Sequence, residues 1–335
     1  MVRIAALVMA GVVGLWSAAE QARGQDAKLP STEAAPFKGK TVAFVPVALG
    51  FDLTDGWNAM VRRRLEPLGV KFIVRDPNWS TDAGAQAITS LITEKVDLLI
   101  VHNPDIQSYA RLLKRAQEAG IYVIQVNMQS STHTDAYIGD NYVELGEADA
   151  NLMVKKCAPD NGGSGKVAII QGALTAAANI DRMKGIDNVL SKHQEIKVVA
   201  NQAADWDASK ARAIADTVLK QNPDLCGIIG FWDGMDVGTG AAIREAKMQG
   251  KVTLVTAGGG ESFACDNVSN GTFTAYHSAD VRQQSDDIVR ITKELLSGKE
   301  KPGANKRVLY TPLKSIDKAT LQPDSCWRLS EYKSN

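Results

Sequence analysis

Short apolar runs alternate along the chain with longer stretches whose apolar positions recur at helical spacing. Residues 40–46 (KTVAFVP) read as a buried strand and residues 55–68 as a helix that Gly69 is placed to end. Strands are predicted over 70–74, 97–102 and 121–126, with helices over 82–95 and 106–119, the latter ended by Gly120. A second series repeats the grammar. Its helices fall at 141–156, 178–192, 207–221 and 236–246, and its strands at 166–171, 196–200, 226–231 and 252–256. Short strands that are apolar on both faces and alternate with helices mean βαβ units, whose parallel sheet is covered on both sides. The predicted fold class is α/β, with two doubly wound lobes, each built on a parallel sheet.

Ahead of this pattern the chain reads differently. Arg3 precedes an apolar run over 4–16, and small residues follow at 17–19 and 22–24. That is the form of a secretory signal, so residues 1–24 are expected to be removed, leaving a chain that starts near Glu20 or Gln25. The run is shorter than the roughly 20 residues that span a bilayer. No cysteine near the cleavage region is available for a lipid anchor. Residues 26–38 read as a loose segment.

Export changes the meaning of the cysteines. Cys157, Cys226, Cys265 and Cys326 form an even set in an oxidising compartment, which favours disulfides, with three pairings open. The length of 335 residues suits two lobes better than one core, and 44% hydrophobic residues are enough to fill them. A formal net charge of zero gives no electrostatic footprint for nucleic acid or anionic lipid. His102, His133, His193 and His277 lie far apart in sequence, so neither a metal nor a cofactor is expected.

In an open parallel sheet, ligands sit beyond the carboxyl ends of the strands. Here the segments 47–54, 103–104, 127–129, 172–175, 203–207, 232–233 and 257–260 follow strands. They are rich in aromatics, amides and carboxylates. Amides and carboxylates bond to hydroxyls, and indole faces stack on the C–H faces of a sugar ring. Two glycine-rich segments are set aside. Residues 162–166 (GGSGK) precede a strand, and Val167 stands where a phosphate loop needs Ser or Thr. Residues 257–260 (AGGG) lack a dinucleotide frame. No nucleophile elbow or Ser-His-Asp set is present, so an enzyme is not expected.

The ordered series of pieces carries a resemblance. It comprises 42–45 (VAFV), 97–104 (DLLIVHNP), 119–124 (AGIYVI), 138–141 (IGDN), 182–185 (RMKG), 204–207 (ADWD) and 230–235 (GFWDGM). From residue 40 to about 317 the chain resembles the periplasmic ribose- and galactose-type sugar-binding proteins, which have the type I periplasmic binding fold. The resemblance implies two lobes joined by a three-strand hinge. The first would be 38–138 plus 280–308, and the second 139–279 plus 309–335. All the cysteines then fall in the second lobe, where Cys157 and Cys226 would meet at one sheet edge, leaving Cys265 for Cys326.

The same resemblance supplies site residues. Arg182 matches an arginine that reaches the ligand from the second lobe, and Trp206 an aromatic that stacks on it. Asn127 stands where an aspartate is common, Trp232 where an asparagine is usual with Asp233 beside it, and Gly258 where another aspartate is usual. Phe51, Asp52 and Thr54 occupy the first ligand loop. Each has a plainer reading: Arg182 as a surface or ion-pair residue, Asn127 as turn chemistry, Asp52 and Thr54 as the start of a helix, Asp207 as a cap. The implied function is the periplasmic solute-binding component of an ABC importer. It would be a monomer that closes on a sugar or sugar-like polyol and delivers it to an inner-membrane permease. A sensor for a chemoreceptor or membrane kinase, or a binder of a non-carbohydrate, is the alternative.

Overall fold

The computed structural model describes residues 35–332, so the expected signal segment lies outside the described residues. The strands in chain order are β1 (Thr41–Val45), β2 (Lys71–Val74), β3 (Leu98–Val101), β4 (Tyr122–Val126), β5 (Ala136–Asp140) and β6 (Lys166–Gln171). They continue with β7 (Lys197–Ala203), β8 (Gly227–Gly230), β9 (Thr253–Gly258), β10 (Ala275–Ser278), β11 (Arg307–Thr311) and β12 (Lys314–Asp317). The helices are α1 (Asp52–Leu65), α2 (Thr81–Thr93), α3 (Ala110–Glu118), α4 (Tyr142–Cys157) and α5 (Ala177–Leu190). After them come α6 (Ala208–Gln221), α7 (Asp233–Glu245), α8 (Ser262–Ser269) and α9 (Val281–Ser297).

One sheet has the order β11-β5-β4-β3-β1-β2 and the other β12-β10-β9-β8-β6-β7. The first is parallel throughout, and in the second only β12 runs antiparallel. Setting the outermost strand aside, both sheets share one doubly wound order, as the repeated grammar predicts. The chain crosses between them after β5, after β10 and between β11 and β12. β5 stays in the first sheet to Asp140 and β11 to Thr311, so both strands run past the lobe junctions read from the sequence.

Local chemistry explains the elements. The central strands β3 and β8 are buried along their whole length. Ser80, Asn141 and Asp207 cap α2, α4 and α6 by accepting the backbone N–H of Ala83, Glu144 and Lys210. Gly69 and Gly120 adopt the left-handed conformation that follows a helical segment. Helix α9 was not read from the sequence. It buries Val281, Ile288, Ile291 and Leu295 against Leu53, Trp57 and Val61 of α1. Phe37, inside the segment read as loose, is buried in the same core.

Close packing in the second sheet's layer depends on a reciprocal pair of glycines. A Cβ on Gly146 of α4 would stand 2.0 Å from the Arg182 carbonyl, and one on Gly185 of α5 would stand 2.0 Å from the Val143 carbonyl. The two helices therefore touch backbone to backbone. Two disulfides are present, Cys157–Cys226 and Cys265–Cys326, as the resemblance implied. The first joins the end of α4 to the residue before β8, and the second joins α8 to the tail. Next to the second, Trp327 reaches from the second lobe into the first. Its ring sits in the first core, while its Nε1 donates to Gly259 O at 2.7 Å.

The Cys157–Cys226 bridge closes a loop with a sequence separation of 69. Replacing both cysteines by alanine is expected to lower the urea unfolding free energy by about 2–4 kcal/mol with the far-UV spectrum unchanged. An unaltered midpoint would show that the bridge adds no stability.

Candidate functional site

The two sheets face each other by the carboxyl ends of their strands, and a cavity of about 70 Å³ lies between them. Its wall draws on nearly every strand end. Phe51 follows β1, Trp79 β2, His102 β3, Asn127 β4 and Asp140 ends β5. From the other side come Trp206 after β7, Trp232 after β8, Gly258 at the end of β9 and Ala279 after β10. One water needs about 10–15 Å³ by this measure. The space therefore suits a small molecule and not an oligosaccharide.

Aromatic rings are the largest side chains in the wall. Phe51 stacks on Trp79 with centroids 5.5 Å apart and meets Trp232 edge-on at 5.3 Å. Trp206 packs, as Phe51 does, against an apolar cluster of Val47, Met128 and Ala176 to Ala178. Its indole lies flat on Gly172, where a Cβ would stand 2.0 Å from the ring. Trp79, Asn127 and Trp206 all have left-handed backbone, with φ of 67°, 59° and 65°. Such strain in a bulky residue costs about 1–2 kcal/mol. Here it aims three side chains at one cavity.

The polar groups are held tightly. Tyr142 Oη donates to Asn127 Oδ1 at 2.5 Å, and Tyr137 Oη donates to the Asn127 carbonyl at 2.9 Å. Asn127 Nδ2 lies 3.2 Å from His102 Nε2 and donates to it, which places the ring proton on Nδ1. That Nδ1 has no partner. Burial pushes the His102 pKa down to about 3, so the ring is neutral. Asp140 Oδ1 accepts from Gln284 Nε2 at 3.3 Å, and Gln284 Oε1 accepts from Trp57 Nε1 at 3.0 Å.

Not every expected residue reaches the wall. Phe51, Asn127, Trp206, Trp232 and Gly258 line the cavity, whereas Asp52, Thr54, Arg182 and Asp233 stand behind it. Thr54 is buried in α1, and its hydroxyl donates to Phe51 O. Arg182 is a buried ion-pair residue. Its Nε donates to Asp149 Oδ2 at 2.7 Å and its Nη1 to Phe231 O at 2.8 Å, and its guanidinium lies 4.6 Å over the Phe231 ring. Asp233 accepts from Tyr276 Oη and the Gly234 N–H. Asp52 comes from the first lobe toward the same glycine loop, and its buried Oδ2 has no partner. Burial raises the pKa of both, and the Asp52 carboxylate adds to the effect on Asp233; Asp52 reaches about 6.

Trp79, His102, Asp140 and Tyr142 were missed as wall residues. Trp79 follows a strand like the others, so the strand-end rule applied to residues 75–80 would have found it. Asp140 and Tyr142 sit at a crossing between sheets, where no strand-end rule points. A second cavity of about 230 Å³ shares Val47, Trp79, Met128 and Trp206 with the first. Among the described residues, no group of three or more His, Cys, Asp or Glu could hold a metal ion.

Two doubly wound lobes that enclose a small cavity define the type I periplasmic binding fold. Residues 42–300 match the periplasmic binding protein domain family, and the chain belongs to it. It is 31% identical over 197 residues to the D-allose-binding periplasmic protein of Escherichia coli (strain K12). That match covers 56% of this chain and 61% of that protein, less than two thirds of its length. It is 27% identical over 250 residues to a xylitol-binding protein of Mycolicibacterium smegmatis, covering 74% of this chain and 68% of that one. A solved ABC transporter solute-binding protein from Agrobacterium vitis with bound D-fucose aligns with a TM-score of 0.76 at 20% identity, over 85% of this chain and 98% of that one. Another, from Burkholderia graminis C4D1M with D-arabinose, gives 0.75 at 24% identity, over 84% and 96%. At these identities the structural likeness shows the fold.

Two measurements test this electrostatic picture. Arg182→Met strands the buried Asp149 carboxylate and is expected to cost about 3–5 kcal/mol in chemical unfolding. A loss below 1 kcal/mol would mean that the pair does not hold α4 to the Phe231 loop. For Asp140, burial outweighs the Arg182 charge and the Gln284 hydrogen bond and raises the pKa from 3.8 to about 7. The folded chain holds a proton that the unfolded chain releases, so this stabilisation is complete below about pH 4 and is lost as pH rises to about 7. Asp140→Asn should therefore gain melting temperature relative to the parent across that window. A pH-independent difference would remove the shift.

Proposed function

We propose that the protein is the solute-binding component of an ABC importer and that it holds a sugar or sugar-like polyol between its lobes. The observation that carries the reading is the cavity between the lobes, with the Phe51 and Trp79 rings on the first sheet's side and the Trp206 and Trp232 rings on the second's. Such rings present flat apolar faces to the C–H surface of a sugar ring. Two relatives, a D-allose-binding and a xylitol-binding protein, support the same ligand class.

In this reading residues 1–24 export the chain to the periplasm, where it acts as a monomer and carries out no chemistry. The lobes turn about the crossings that follow β5 and β10 and that join β11 to β12. The ligand bridges both half-sites and shifts the population to the closed form. The closed surface then docks on an inner-membrane permease. Phe51, Asn127, Trp206, Trp232 and Gly258 contact the ligand. Asp52, Thr54, Arg182 and Asp233 support those contacts from behind the wall.

A thermal-shift screen against sugars, polyols and cyclitols, with calorimetry on each hit, tests this directly. A ligand at a hundredfold excess over Kd stabilises the folded chain by about 2.7 kcal/mol. Trp206→Ala is expected to weaken the binding of any hit at least tenfold with the unfolding midpoint of the free protein little changed. Unaltered affinity removes Trp206 from the site, and a screen without hits removes the carbohydrate class.

A further inference from the structure

The cavity wall is poor in free hydrogen-bonding groups, and this bears on which member of the ligand class it takes. A fully hydroxylated hexose carries about five hydroxyls, each one donor and two acceptors, and all must find partners once water is excluded. Asn127, which replaces a common aspartate, cannot serve them well. Its Oδ1 takes the Tyr142 hydroxyl and its Nδ2 faces His102 Nε2. Its carbonyl takes the Tyr137 hydroxyl and its N–H bonds to Ile138 O at 2.9 Å. Each of its polar atoms already has one protein partner, so it offers a ligand only a second Nδ2 hydrogen and spare lone pairs.

The charged groups stand outside the wall. Arg182 bonds Asp149 and Phe231 O through two of its nitrogens, with its buried Nη2 left without a partner, Asp233 bonds Tyr276 and Gly234, and neither residue lines the cavity. What the wall retains is two buried donors without partners, His102 Nδ1 and Trp232 Nε1, and the Asp140 carboxyl group, which Gln284 engages through one oxygen. His102 and Asp140 lie on the first sheet's side and Trp232 on the other. Beyond these the wall is hydrocarbon and ring, including Leu53, Met128, Leu145 and Ala178.

We propose that the ligand is a hydroxyl-poor carbohydrate, a deoxy sugar or a partly deoxygenated cyclic polyol of monosaccharide size. It presents about three polar groups to His102, Asp140 and Trp232, in keeping with the one or two bonds each can make. A C–H or methyl surface faces Trp206 and the Phe51 and Trp232 rings. The inference rests on the carbohydrate reading above and narrows it. An extra hydroxyl set against Met128 or Leu145 would lose its water without replacement, a penalty of about tenfold or more in affinity.

Calorimetry on the full chain with two matched pairs decides the matter: D-fucose against D-galactose, and 2-deoxy-D-ribose against D-ribose. The deoxy member of at least one pair is expected to bind tenfold or more tightly than its parent. Trp232→Phe keeps a ring and removes the N–H, and should weaken that deoxy ligand about tenfold. His102→Phe, which removes the other free donor, should do the same. Should the parent sugars bind as tightly as the deoxy forms or more tightly, the inference is overturned while the carbohydrate reading stands. Should no member of either pair bind, the inference is overturned, and the carbohydrate reading stands or falls with the wider screen. A preference for the deoxy form that neither variant weakens would overturn the assignment of His102 and Trp232.

Discussion

Arg182 is a charge sealed away from water, and much of the second lobe is arranged around keeping it paired. The guanidinium bonds Asp149 on α4 and the carbonyl of Phe231 after β8, and it lies against the Phe231 ring. An unpaired charge at that depth would cost several kcal/mol, so the helix and the loop cannot drift independently. Two glycines make the pairing possible, because α4 and α5 meet only where Gly146 and Gly185 carry no side chain. The Phe231 ring is part of the cavity wall. The ion pair thus shapes the binding surface without touching what binds there.

The opposite problem appears where the lobes meet. Asp52 opens α1 in the first lobe and Asp233 opens α7 in the second, each in the first turn of its helix. Both approach the loop at Gly258 and Gly259. Helix N-termini favour negative charge, which suits each aspartate in its own lobe. Bringing the lobes together sets the two carboxyl groups against each other in a dry space. In the proposed closure, ring contacts and buried apolar area work against the cost of drying two facing carboxyl groups, which burial drives toward the protonated form.

The sequence made the repeating strand and helix order legible because parallel strands buried on both faces are uniformly apolar, as VAFV and LLIV are. The disulfide pairing came from the resemblance, which put all four cysteines in the second lobe. Helix α9 was harder to see. Its apolar positions are diluted by a polar run (VRQQSDDIV), and its partner α1 lies more than two hundred residues away. The site was legible in part for a related reason. Strand-end loops located Phe51, Asn127, Trp206 and Trp232, but whether a side chain faces the cavity or turns behind it depends on contacts between distant elements. Arg182 turned to Asp149, and Thr54 turned into its own helix. Asp140 became a wall residue because a crossing between sheets happens to border the cavity.

The tail adds a fourth tie between the lobes. Cys326 is bonded to Cys265 of α8, yet the neighbouring Trp327 ring rests against Gly56 of α1, where a Cβ would stand 2.6 Å away. Its backbone N–H also bonds Gly260 O at 3.0 Å. Anchored covalently on one side and wedged by an indole on the other, this segment sets a stop on the angular travel of the hinge. A rotation that separates Gly56 from Gly259 must draw Trp327 out of an apolar socket, while a rotation about the indole itself leaves the socket filled. In the proposed hinge motion the tail is therefore the pin about which the lobes swing.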